Sequence, residues 1–349
     1  MPYLSRCPDL LCGRLLPCNN GSMKALSAAG GHQTPSMPIH TIQPVPDTVT
    51  INTAVRLWVP ALTATLLALA CACAGAEGLG GISAEVLYND NLSRSPYEAS
   101  VAGDKSLELG LWQGLHIQLA DYTALHLQGT LSHQQFNHLT GLSNTRVGGS
   151  AELSHKFGLG AEVPVLSFTT YIERSHYHDN HRDQSLYRES LALRQRIAEQ
   201  WQWSVTASHE WQDGDYGQYS PYPPPAPPLP GNVWDLHAWQ LSLNIEKDLG
   251  ASSWLSSTIA WRDGDIVAST PQYPKILEAS TAIAFDPVFG PGIVAYRMSA
   301  TTRTVSLDWN HSVGENSTLY VGVERQWSHG YENLGYQTAI IRTGFLHNF

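Results

Sequence analysis

Three histidines, His176, His178 and His181, crowd one short stretch together with Asp179 and Asp183. Imidazole nitrogens beside carboxylates are ligands for zinc or copper, so this is the first place to look for a metal. The stretch falls between two patterned segments and reads as a loop, and loop histidines without fixed geometry more often bind nothing. No metal and no cofactor is expected. Serine and histidine recur along the chain and would support a hydrolase if an acid oriented the imidazole. No motif brings nucleophile, base and orienting group together, so a membrane-embedded hydrolase is the third reading, behind two that need no catalysis.

A different chemistry is offered by guanidinium and carboxylate groups that recur on one parity of alternating segments. Arg146, Arg188, Arg194, Arg196, Arg262 and Arg342 stand at such positions, with Glu108, Glu152, Glu173, Glu246, Asp308 and Glu324. If that parity faces a lumen, the charges form either a constriction that selects solutes or a salt-bridged filling that satisfies a polar interior. Arg194 and Arg196 project to the same side of one segment, a local positive site for an anionic solute unless neighbouring acids neutralise it.

The elements that would position these groups are strands. From Trp201 to Gln212 one parity reads Trp201, Trp203, Val205, Ala207, His209, Trp211, and the other Gln202, Ser204, Thr206, Ser208, Glu210, Gln212. Alternation of this kind is a sheet with one oily and one wet face. Ten residues separate the tryptophans at the two ends of the oily face. At about 3.3 Å per residue and a tilt near 45° that is roughly 23 Å, the height of the apolar band of a membrane barrel between its aromatic girdles. The predicted strands are 81 to 92, 105 to 120, 123 to 136, 145 to 157, 164 to 175, 185 to 197, 201 to 213, 233 to 246, 252 to 263, 301 to 312, 317 to 328 and 336 to 349. The fold class expected is all-β, a transmembrane antiparallel barrel of about twelve strands. Connections near Asp121, Gly158, Ala198, Lys247 and Gly314 are short and the intervening ones mostly longer, the rhythm of periplasmic turns and outer loops.

The last strand places Ala339, Ile341, Thr343, Phe345, His347 and terminal Phe349 on one parity. It resembles the assembly signal of Gram-negative outer-membrane β-barrels, which ends in an aromatic residue. The run Glu85-Val86-Leu87-Tyr88-Asn89-Asp90-Asn91-Leu92 resembles the first strand of porin-like barrels of unassigned function. The resemblance implies residence in the outer membrane, contact with its lipid, and insertion by the barrel assembly machinery through the strand ending in Phe349.

Ahead of the barrel, the apolar run Leu57 to Ala76 follows Arg56 and closes on Ala74-Gly75-Ala76. A basic start, an apolar centre and a small-x-small end make a signal peptide over 54 to 76, with the barrel over 77 to 349. Residues 1 to 53 form a Pro-, Ser- and Thr-rich leader extension, most of it expected not to be translated, with Val49 or Val55 as the start. Cys7, Cys12, Cys18, Cys71 and Cys73 are the five cysteines, so the segment from Glu77 has no thiol chemistry. Residues 1 to 76 hold four of the basic and two of the acidic residues, leaving 16 Lys and Arg against 28 Asp and Glu. A segment that acidic is no partner for nucleic acid.

Two segments resist assignment. Residues 214 to 232 include Tyr219 to Pro230, a proline run that favours extended polyproline II. Residues 264 to 300 either fold into the lumen as a plug or prolong the adjoining strands above the membrane. The function that follows first is a narrow channel for small hydrophilic solutes. The alternative is a closed barrel whose long outer loops bind at the surface.

Overall fold

The computed structural model describes residues 79–216, 231–331 and 334–349. The proline run of the 214 to 232 loop and the expected signal peptide and leader lie outside the described residues.

Twelve long antiparallel strands close into a barrel. They are β1 (Leu79–Asn89), β2 (Asp104–Ala120), β3 (Thr123–Phe136), β4 (Asn144–Lys156), β5 (Val165–Tyr177), β6 (Gln184–Ala198), β7 (Trp201–Gly214), β8 (Leu236–Asp248), β9 (Ser253–Thr270), β11 (Val294–Ser312), β12 (Ser317–Gly330) and β13 (Gln337–Asn348). A short β10 (Ala282–Phe285) and a six-residue helix α1 (Pro274–Ala279) lie between β9 and β11. Each long strand pairs with its neighbour, and β13 closes on β1 from Gly81 opposite Asn348 to Asn89 opposite Ile340. Closure leaves no barrel edge with unpaired amides, which hydrocarbon would penalise heavily.

Alternation dictates the two faces. Ile172, Ile259 and Ile341 are each more than half exposed on the outside, in a continuous apolar wall that only lipid can cover. Aromatic side chains bound this wall at both ends. Toward the outer loops, Tyr187 stacks on Trp211 at 5.5 Å, and His209 lies 4.2 Å from Trp239 and 5.4 Å from Trp211, ring centre to ring centre. The histidine that interrupts the oily parity of β7 is thus held between indoles at the interface. Toward the periplasmic turns, His155, His311 and His347 each neighbour an aromatic ring two residues away in the chain. Each also shares a hydrogen bond with a hydroxyl directly across, Thr123, Ser253 and Ser317, at 2.8 to 2.9 Å. Polar tips and apolar rings suit the boundary between lipid and water.

One expected short connection is longer. The turn at Gly158 runs over eight residues, 157 to 164, while the outer connection at 178 to 183 takes six. The larger departure is at β9 and β11. They run past the expected boundaries, from 263 to Thr270 and from 301 back to Val294, as a hairpin paired from Asp265–Ser299 to Thr270–Val294. β8 meets β9 no farther out than Gly264, and β12 meets β11 no farther out than Ala300, so this hairpin rises above the rim. β10 adds a third strand along Val294–Arg297. At Gly264 φ is +153°, and a Cβ there would collide with the His237 carbonyl and the Ala238 backbone. Only glycine permits so close a crossing where the sheet turns inward.

The hairpin bends over the barrel mouth as a cap. Ser269 N–H donates to the Ser93 carbonyl of the β1–β2 loop at 2.7 Å. Val288 sits beneath Gly141 of the β3–β4 loop, and Asp286 pairs with Arg182 of the β5–β6 loop. Arg297 donates to the Asp235 carbonyl of the β7–β8 loop at 2.7 Å. Leu334 and Tyr336 of the β12–β13 loop join Ile266, Ile276, Ile283 and Tyr296 in one apolar cluster, while Val267, Ala284 and Ala295 pack on Val233 and Trp234 from the opposite face. The segment 264 to 300 therefore prolongs the strands and also covers the mouth, touching each of the other five outer loops.

Candidate functional site

Beneath the cap the inward parity of the strands encloses a cavity of about 440 Å³. Its upper wall includes Arg94, Arg182, Trp234, Ser269 and Phe289, and it extends down to Ser83 and Leu346, toward the periplasmic end. Arg146, Arg342, Glu108 and Glu324, all expected in the lumen, line it.

Strand register decides which charges meet. Arg146 on β4 pairs with Glu108 on β2 at 2.6 Å, across Ser132 of β3. Arg342 on β13 reaches Asp308 on β11 at 2.7 Å and Glu324 on β12 at 3.3 Å. The β12 residue between Asp308 and Arg342 is Gly322, and a Cβ there would occupy the space of the Asp308 carboxylate. The glycine is what lets the guanidinium pass over β12 to its acid.

The third group is a triad. Arg188 on β6 and Arg262 on β9 converge on Glu210 of β7, which accepts from Arg188 Nη2 at 2.8 Å and Arg262 Nη2 at 2.9 Å, with both Nε groups donating at 3.2 Å. Both arginines are buried. Glu210 belongs to the polar parity of Trp201–Gln212 but was not among the expected site residues. Alternation assigns it a face and not a partner, and it stands directly opposite Arg188 in the β6–β7 register.

Of the remaining expected residues, Glu173 lines the cavity and accepts from the Tyr171 hydroxyl at 2.6 Å and Ser175 Oγ at 3.1 Å, and the other four lie apart from these groups. Glu152 accepts from Ser167 Oγ at 3.0 Å and Glu246 from Gln202 Nε2 at 3.3 Å. Arg194 faces Ser204 and Arg196 faces Gln202, half-buried near the periplasmic end of β6. None of these four lines the cavity beneath the cap. Arg94 and Arg182, which do, sit in outer loops where parity says nothing.

The histidine-rich loop does not assemble a ligand set. His176 Nδ1 faces Asp183 at 3.1 Å, His181 Nδ1 faces Asp179 at 2.8 Å, and His178 Nδ1 faces the Thr140 carbonyl at 3.3 Å. Each imidazole is engaged separately, and among the described residues no three His, Cys, Asp or Glu side chains could hold one ion. The serine–histidine contacts at Ser253–His311 and Ser317–His347 lack a third group: no acid or amide hydrogen-bonds either imidazole among the described residues. A nucleophile needs its base oriented, so these are interface contacts.

No family model and no curated protein matches the sequence. Among solved structures, the chain is similar to an outer membrane channel from Pseudomonas putida F1, with a TM-score of 0.51 and 13% identity over 78% of this chain and 96% of that one. The outer membrane channel DcaP of Acinetobacter baumannii aligns at 0.40 and 9% identity, over 78% and 96%. Outer membrane phospholipase A from Escherichia coli aligns at 0.40 and 13% identity, over 77% and 92%. The likeness is one of fold, a closed antiparallel β-barrel.

Proposed function

We propose that the protein is a passive, narrow channel for small hydrophilic solutes. The observation that carries this reading is the cavity: the inside of the barrel is not packed solid, and its wall sets Ser, Gln, Glu and Arg side chains among Leu, Trp and Phe. A barrel serving only as a scaffold gains most from a filled interior, whereas a void with charged and amide groups in its wall holds water and the solutes that dissolve in it. Ion pairs tie most lumen arginines to acids, so neither sign of charge dominates the wall as a whole. Arg194 and Arg196, near the periplasmic end, are the lumen charges proposed to bias ion preference there, with Glu152 and Glu246 as the nearby acids of the same wall. No catalytic role is proposed for any residue, and assembly is proposed to proceed through the strand ending in Phe349. The experiment is planar-bilayer recording of the native protein and of Arg194→Glu/Arg196→Glu, which should alter the reversal potential under a salt gradient.

The cap supports a second reading. A mouth covered by apolar strands that hold five loops together suits a barrel whose activity lies on its outer surface. Such a barrel would be silent in the bilayer and would lose its phenotype when residues 214 to 232 are deleted.

A further inference from the structure

Arg94 is the one non-glycine residue among those described whose backbone lies in the left-handed region, at φ +51°. That conformation is strained for an L side chain and persists only where the surroundings impose it, as they do at binding sites. Here they are rigid. Arg94 N–H closes the turn onto the Asn91 carbonyl at 3.3 Å, and Asn91 Oδ1 accepts from Ser93 Oγ at 3.1 Å and Ser95 N–H at 3.2 Å. Asn91, Ser93 and Ser95 are buried, and the Ser93 carbonyl is clasped by the cap through Ser269.

The arginine so placed lines the cavity beneath the cap together with Arg146, Arg182 and Arg342. Each of the other three has a carboxylate: Glu108, Asp286, and Asp308 with Glu324. Arg94 has no hydrogen bond or ion pair from its side chain among the described residues. The groups whose charges act most on it are Tyr336, Arg262, Arg182 and Tyr177, none of them an acid. The acids lining the cavity are engaged elsewhere. Glu108 and Glu324 hold arginines, Glu85 accepts from the Tyr320 hydroxyl, and Glu173 accepts from Tyr171 and Ser175. Burial, reinforced by the charges of Arg262 and Arg182, pulls the Arg94 pKa down from its ordinary value. Arginine nevertheless keeps its proton, so the positive charge stays and has no counterion among the described residues.

Arg182 is poised at the same wall. Its guanidinium lies over the Trp234 ring at 4.3 Å and the Phe289 ring at 5.6 Å, and its Nε is a buried donor without an acceptor among the described residues. We propose that Arg94, with Arg182 beside it, forms an oxyanion site beneath the cap that takes a small carboxylate or phosphate from the lumen. A planar guanidinium donates two parallel N–H bonds to either group. The proposal rests on the channel reading for its purpose, which is to hold anionic solutes under the mouth.

The test is calorimetric titration of the detergent-purified protein with inorganic phosphate and, separately, with acetate. The native protein is expected to bind at least one of them saturably at a single site, and Arg94→Gln to bind it at least tenfold more weakly. Arg303→Gln, at an exposed position between Trp261 and Trp327 on the lipid-facing wall, should leave binding unchanged. Heat-modifiable migration certifies that each variant is folded. Phosphate binding alone assigns the site to phosphate-bearing solutes, and acetate binding alone assigns it to carboxylates. A native protein that binds neither, or a folded Arg94→Gln that binds as the native does, overturns the site. Conductance is read separately: current without anion binding leaves the channel and removes the site, and binding without current does the reverse.

Discussion

Replacing Glu210 by Gln tests whether the lumen charges are coupled as the barrel register implies. The carboxylate accepts four hydrogen bonds from two buried guanidinium groups, at 2.8 to 3.2 Å. An amide of the same shape keeps one acceptor oxygen and loses the charge, so Arg188 and Arg262 are left as like charges with half their acceptors. Removing one partner of a buried pair costs about 3 to 5 kcal/mol. The Glu210 side chain retains 25% of its exposure, so the lower end, ~3 kcal/mol, applies. With a urea slope of about 1–3 kcal/mol per M, the unfolding midpoint in detergent should fall by roughly 1–3 M. Adding Arg262→Gln to this variant removes one uncompensated cation and should recover part of the loss, whereas in the native background the same change destabilises. Independent side chains would show additive losses in that cycle. A Glu210→Gln barrel as stable as the native, or strict additivity with Arg262→Gln, refutes the triad.

Other expectations follow from single contacts. Gly322→Ala places a methyl group where Asp308 meets Arg342 and should lower stability by about 1–3 kcal/mol, read as an earlier unfolding midpoint. Arg94→Gly relieves a left-handed residue and an unpaired charge together, so in anion-free buffer it should raise stability by ~1 kcal/mol even though it abolishes the site. The hydrogen bond from Arg174, and then its charge, hold the Asp215 carboxyl below the usual carboxylate range. That contact stabilises the β7–β8 loop at pH above the unfolded carboxylate value of about 3.9 and is lost as pH falls through the lower folded value. For so exposed a pair the gain is a few tenths of a kcal/mol, so the check is the Asp215 titration by NMR, which Arg174→Ala should move upward.

The sequence made the barrel legible because a membrane wall and a wet lumen impose strict alternation. β3 (Thr123–Phe136) begins and ends where parity places it, and most other strand ends lie within two residues of expectation. The cap was not legible, for a physical reason. Ile266, Val267 and Ala268, like Val294, Ala295 and Tyr296, are buried on both parities, between α1 on one face and Val233 and Trp234 on the other. A strand covered on both sides has no period of two to read. Parity also placed Arg146, Arg262 and Arg342 inward without saying which acid each would meet, since that depends on the pairing of strands far apart in sequence. Arg94 carries no local sign of its proposed role, which rests on a backbone conformation and on the lack of a counterion among the described residues.

The central claim is an aqueous path through the barrel, and single-channel recording of the native protein in planar bilayers tests it most directly. Discrete current steps are expected, scaling with salt and growing when Asp265–Ser299 is replaced by a short turn. Silence from a heat-modifiable, folded native protein would contradict it.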